Sequence, residues 1–185
     1  MLYNIGKNQD NWQSLMKALS LQEINDAYPE KAYNIESFVL NINTWSNVRQ
    51  ELGGLFHDCL RLKFDENIRD SLPKTKGIYI FFVEPNFPFL PETRYLMYVG
   101  KVTGTNTFFH RFNEYVSSIG NLNQRQNTML LTNLWPEKTW VYVYPLDLSD
   151  KEIESVEDNL IDNIVPPLNN RVKAKSAHNS RSIYF

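Results

Sequence analysis

The chain of 185 residues holds one cysteine, Cys59, so it can form no internal disulfide and no cysteine-based zinc site. Cys59 lies in an apolar run with Leu55, Phe56 and Leu60, which predicts a small buried core residue. The histidines are few, and His57 and His178 have no companions at ligand spacing, so zinc is not expected. No stretch approaches the ~18 apolar residues of a membrane span, and Met1 to Asp10 has no apolar segment of signal length. The expectation is a cytoplasmic protein with no membrane partner. A strong excess of either charge is also missing. The net charge of −2 argues against a generally basic nucleic-acid binder but leaves room for a local basic surface. There is no internal repeat and no low-complexity segment.

What is present is an ordinary globular composition, with enough chain for one compact domain and an appendage. Charge is unevenly spread. Residues 1–70 carry seven Lys/Arg and ten Asp/Glu, whereas residues 165–185 carry Arg171, Lys173, Lys175 and Arg181 with no acid. That tail reads either as a solubilising segment or as one that contacts phosphates.

The first third has helical periodicity, as in Trp12, Leu15, Met16 and Leu19. Ser20 and Glu23 fit a capping box, and Tyr28 before Pro29 breaks the helix that follows. Residues 38–42 suggest a short strand or an extended link. Asn43 or Thr44 can cap a helix near Trp45, and after Gly53 and Gly54 the helical pattern resumes over residues 55–62. A polar, proline-containing stretch at 70–76 forms a boundary.

Beyond Lys76 the pattern changes. Residues 77–83 are apolar, β-branched and aromatic and predict a buried strand. Pro85, Pro88 and Pro91 mark residues 84–92 as a connection. Residues 94–99 predict a second strand and 100–107 a turn-rich loop. Phe109, Phe112, Val116 and Ile119 predict a helix, residues 139–144 a third strand. A last helix, capped by Ser149 or Asp150, has the stripe Ile153, Val156, Leu160, Ile161 and Ile164, and is ended by Pro166 and Pro167. The expected fold is α+β, a small three-stranded, mainly antiparallel sheet in a β-β-α-β-α core behind a mainly helical N-terminal extension. The expected divisions are residues 1–73, a core at 74–171, and a basic tail at 172–185.

Several polar residues fall where these elements end. Tyr79 and Tyr98 would share one face of a hairpin. Gly100 leaves room for close backbone approach, and Lys101 adds a cation. Arg111 and Tyr115 are one turn apart on one helix face. Glu157 lies on the apolar stripe of the last helix, where an acid needs a cationic partner or a metal. Asn169 follows the double proline, where a simple turn would also account for it. His110 points about 100° from Arg111 on the helix and is expected to pack at the core edge. The tryptophans, Trp12, Trp45, Trp135 and Trp140, suit either core packing or stacking on extruded bases.

Gly77, Ile78 and Tyr79, followed by Tyr98, Val99, Gly100 and Lys101, resemble the paired motifs of the GIY-YIG nuclease superfamily. Arg111 with Tyr115, then Glu157, then Asn169 continue the resemblance in order over about residues 74–171. Val99 stands where the family motif has isoleucine, and the stretch between the two motifs carries a proline-rich insertion. The resemblance implies a DNA endonuclease with Tyr79 as general base, Arg111 on the phosphate, Glu157 holding Mg²⁺ (or Mn²⁺), Tyr98 and Tyr115 orienting water and phosphate, and Asn169 bracing the site. Lys101, Arg171, Lys173 and Lys175 would contact substrate. A non-catalytic nucleic-acid-binding or protein-interaction module on the same fold is the other reading.

Overall fold

The computed structural model describes residues 42–121, 125–135 and 137–169. In chain order these form helix α1 (Ile42–Leu52), a 3-10 turn (Gly53–Leu55), strand β1 (Leu60–Lys63), a second 3-10 turn (Ile68–Ser71), β2 (Gly77–Val83) and β3 (Tyr95–Val102). Then come α2 (Phe108–Val116), a short α3 (Gln126–Met129) running into a π turn (Leu130–Leu134), β4 (Thr139–Pro145) and α4 (Asp150–Ile164).

Among the described residues the sheet has four strands in the order β1-β4-β2-β3, and every pairing is antiparallel. The α+β class holds, but the expected three strands become four. The extra strand is β1, inside a stretch whose apolar spacing suggested helix. Its sequence, Leu60, Arg61, Leu62, Lys63, also alternates, and β4 offers it an open edge from Trp140 to Val143. A ladder of backbone hydrogen bonds on that edge overrides a weak local helical tendency. Residues 42–73 are thus a mixture of helix, strand and 3-10 turn. The features read at residues 1–41, and those at 170–185, lie outside the described residues.

Both faces of the sheet are covered. On one, Tyr79, Phe81, Val102, Val141 and Val143 pack against Phe108, Phe112 and Tyr115 of α2 and Met129 to Leu131 of the α3 segment. On the other, Ile78, Ile80 and Val99 pack against Leu52 of α1 and Ile153, Val156, Leu160 and Ile161 of α4. That explains why β2, flanked by β4 and β3, reads as an unbroken apolar run rather than an alternating one. The stripe predicted for α4 faces this core, and Ser149 caps the helix through a full capping box with Glu152. Gly77 is required at the start of β2. Its φ is +147°, and a Cβ there would lie 2.1 Å from the Tyr144 carbonyl oxygen.

Two smaller expectations are corrected. Cys59 is exposed, because the chain there is leaving the 3-10 turn to reach the sheet edge rather than continuing a helix. His110 is also exposed. Its Nδ1 lies 3.1 Å from the hydroxyl of Thr107, the N-cap of α2, and its backbone N–H donates to that hydroxyl. Among the described residues no helix is long and apolar enough to cross a membrane.

Candidate functional site

The candidate residues that are described gather around β3, the outer strand on that side among the described residues. Tyr79 on β2 stands opposite Gly100 on β3, and its ring lies across the glycine. A Cβ on Gly100 would sit 2.4 Å from both Cζ and Oη of Tyr79, so glycine is what lets the ring lie there. Tyr98, opposite Phe81, presents its ring on the same face, 6.3 Å from that of Tyr79. From above, α2 delivers two side chains one turn apart. The Tyr115 and Tyr79 hydroxyls are 3.0 Å apart, and Arg111 Nε donates to Tyr79 Oη at 3.2 Å. Arg111 also pairs with Glu114 on its own helix and lies 5.5 Å from the centre of the Tyr115 ring.

Tyr79 is wholly buried, with its oxygen shared between Arg111 and Tyr115. Burial pushes the Tyr98 and Tyr115 phenols above the ordinary range, and neighbouring phenols add to this. The positive charge of Arg111 acts the other way on both and is outweighed. Burial works against the Arg111 charge, yet Tyr79, Tyr115 and Glu114 hold the guanidinium charged and raise its pKa.

Lys101 is the next residue along β3 and therefore points to the opposite face, where α4 lies. Its Nζ is 2.9 Å from Glu157 Oε2 and 3.6 Å from Glu154 Oε1. Partial burial acts to lower the Lys101 pKa, but Glu157, then Glu154 and Asp158, outweigh it and raise it. The Glu157 side chain is only 15% exposed, as its place on the apolar stripe suggested. The Glu157 carboxylate acts to raise the Tyr98 phenol pKa, against the lowering effect of the Arg111 charge.

Asn169 completes the arrangement. Its side-chain amide acts like a neighbouring strand: Oδ1 accepts from the Val99 N–H and Nδ2 donates to the Val99 carbonyl, each at 2.8 Å. The Leu168 N–H adds a bond to the Met97 carbonyl at 3.0 Å. The chain reaches this position through Val165, a buried non-glycine residue at φ +53° that caps α4 in the left-handed region. Such a conformation costs a β-branched residue about 1–2 kcal/mol, and it aims the turn at Pro166 and Pro167 back onto the strand. The structure therefore brings together Tyr79, Tyr98, Arg111 and Tyr115 on one face of β3, Lys101 and Glu157 on the other, and Asn169 along its edge. Arg171, Lys173 and Lys175 lie outside the described residues.

Sequence reasoning missed three supporting residues. Asn127 donates its side-chain amide to the Leu168 carbonyl and so holds the turn that carries Asn169. Asn133 is fully buried, accepting from the Gly120 N–H and donating to the Ser118 and Met129 carbonyls. Glu84 is 5% exposed and is clamped by Arg61 and by Arg94, at 3.3 Å, just where the chain leaves β2. The available signal was an acid directly after an apolar strand, since a buried carboxylate must be paired.

Among the described residues no group of three or more His, Cys, Asp or Glu converges on a point. The donor chemistry at Glu157 nonetheless fits a hard divalent ion held by one carboxylate and water. It is a hard oxygen ligand, mostly shielded, and it already faces a cation, the ammonium of Lys101. No protein family, curated protein or solved structure matches this chain.

Proposed function

We propose that this protein is a metal-dependent endonuclease that hydrolyses DNA phosphodiester bonds. The observation that carries the reading is the hydrogen-bonded centre of Tyr79, Tyr115 and Arg111, with Lys101 and Glu157 paired on the other face of the same strand. The order of these residues along the chain is that of the GIY-YIG nucleases they resemble.

Phosphodiester hydrolysis builds negative charge on the non-bridging oxygens and on the leaving 3′ oxygen. Arg111 remains charged and offers a planar fork of donors suited to phosphate. Its Nε also donates to the Tyr79 oxygen, which, once it has given up its own proton, would as phenolate accept a proton from the attacking water. Tyr115 holds the same oxygen in place, and Tyr98 orients water and phosphate from the neighbouring strand. Asn169 fixes the backbone of β3 between Tyr98 and Gly100, keeping the two motifs in register. Mg²⁺ or Mn²⁺ bound at Glu157 would supply Lewis-acid stabilisation of the leaving oxygen. Lys101 contacts the substrate backbone in this reading, as would Arg171, Lys173 and Lys175 of the tail. A cytoplasmic restriction or phage-defence role is the setting we favour, with the connection between β2 and β3 available to approach DNA.

One observation favours a second reading, a nucleic-acid-binding or interaction module without catalysis. Tyr79 has no exposure, so water reaches its oxygen only if Arg111 or Tyr115 moves. Supercoiled plasmid incubated at low salt, with and without Mg²⁺ or Mn²⁺, separates the two. Wild-type protein is expected to nick the plasmid only with metal, and Glu157→Ala to be slower by about 10²-fold or more while keeping its circular dichroism. Equal cleavage by both proteins would reject the assigned site. Salt-sensitive DNA binding with no cleavage by wild type would establish the second reading.

A further inference from the structure

We propose that Lys101 is a displaceable counter-ion, which occupies the cation position at Glu157 in the resting protein and sets the affinity of that carboxylate for a divalent metal. The inference rests on the nuclease reading's assignment of Glu157 as the metal ligand.

The geometry is specific. Lys101 Nζ lies 2.9 Å from Glu157 and 3.6 Å from Glu154, one turn earlier on the same helix face. Its ammonium therefore sits between two carboxylates of α4. A divalent ion bound to Glu157 would be within a few ångströms of that ammonium, and like charges at such a separation repel strongly in a partly buried site. Both cannot occupy the position together. Lysine is suited to yield, because its charge rides on a flexible four-carbon stem rather than a rigid fork. The carboxylate is free for metal only in the fraction of molecules whose Lys101 has swung away, and the apparent dissociation constant is weakened by that fraction. Arginine at position 101 would keep the charge and the competition, whereas an uncharged side chain would remove both.

The test is Mn²⁺ binding to the full chain without DNA, read from the electron paramagnetic resonance signal of free Mn²⁺. Wild type, Lys101→Met, Lys101→Arg and Glu157→Gln are compared, with thermal unfolding to establish that each is folded. If Lys101→Met does not fold, Lys101→Gln is measured in its place. The uncharged variant is expected to bind Mn²⁺ about tenfold more tightly than wild type, Lys101→Arg to stay close to wild type, and Glu157→Gln to lose binding. An uncharged variant that binds no more tightly than wild type, while Glu157→Gln still loses the ion, overturns the counter-ion role alone. Undiminished binding by Glu157→Gln overturns the Glu157 assignment and the proposal with it.

Discussion

Gly100 shows how one residue controls the site. The Tyr79 ring occupies the space where any other side chain would begin, so Gly100→Ala must push the ring off its bonds to Tyr115 and Arg111. We expect a loss of about 1–3 kcal/mol in a denaturant titration, the usual cost of overpacking. Plasmid nicking should fall further than stability does, by about 10²-fold, because displacing a reacting group by an ångström is that costly. A Gly100→Ala protein that nicks at the wild-type rate would show that the Tyr79 ring position is not required. The neighbouring phenols make the same point electrically. Arg111 alone would favour ionisation of Tyr98 and Tyr115, but their burial outweighs it, which only the packed structure reveals.

At the scale of elements, β3 is the one that organises the site, and among the described residues its outer edge is bonded at Val99 by a side chain. Asn169 satisfies both the N–H and the carbonyl of Val99 in a buried setting. Removing it in Asn169→Ala leaves two buried backbone groups unpaired, each costing about 1–3 kcal/mol. The expected result is destabilisation of about 2–4 kcal/mol and lost hydrogen-exchange protection at the Val99 amide, with α4 unaffected. Retained protection at Val99 would mean that water or a neighbouring group substitutes for the side chain. The placement of α4 follows from more local causes, the Ser149–Glu152 capping box and the apolar stripe beginning at Ile153.

At the scale of the whole molecule, residues 42–73 are built into the core rather than hung beside it. β1 pairs with β4 over its full length, and α1 packs on α4, with the Thr44 hydroxyl donating to the Asn163 carbonyl at 2.9 Å. A fragment beginning at residue 74 would expose the β4 edge and the apolar face that Leu52 covers, and unpaired edges of this kind invite association. It should unfold at lower urea than the full chain and run as aggregates in gel filtration. A monomeric fragment of full stability would show that β1 and α1 are additions to a self-sufficient core.

Much of this architecture was legible from residue order alone. β2, β3, β4, α2 and α4 are marked by local signals: apolar runs of strand length, turn residues between them, a cap and a helical stripe. The positions of Tyr79, Tyr98, Arg111, Tyr115 and Glu157 on these elements were legible too, while Arg171, Lys173 and Lys175 lie outside the described residues. β1 was not, since Leu60 to Lys63 fits helix or strand equally and only the open edge of β4 chooses between them. The exposure of Cys59 follows from that same choice. Nor could sequence reveal that Lys101 faces α4 and meets Glu157, that the Tyr79 hydroxyl is shared by Arg111 and Tyr115, or that Asn169 closes a strand edge. Local periodicity depends on neighbours a few residues apart, so the chain by itself determines strongly patterned segments such as β2 and α4 and the residues that punctuate them. The hydrogen bonds that tie Tyr79, Arg111, Tyr115, Val99 and Asn169 together join residues 32 to 70 positions apart, and only tertiary packing decides which of them meet.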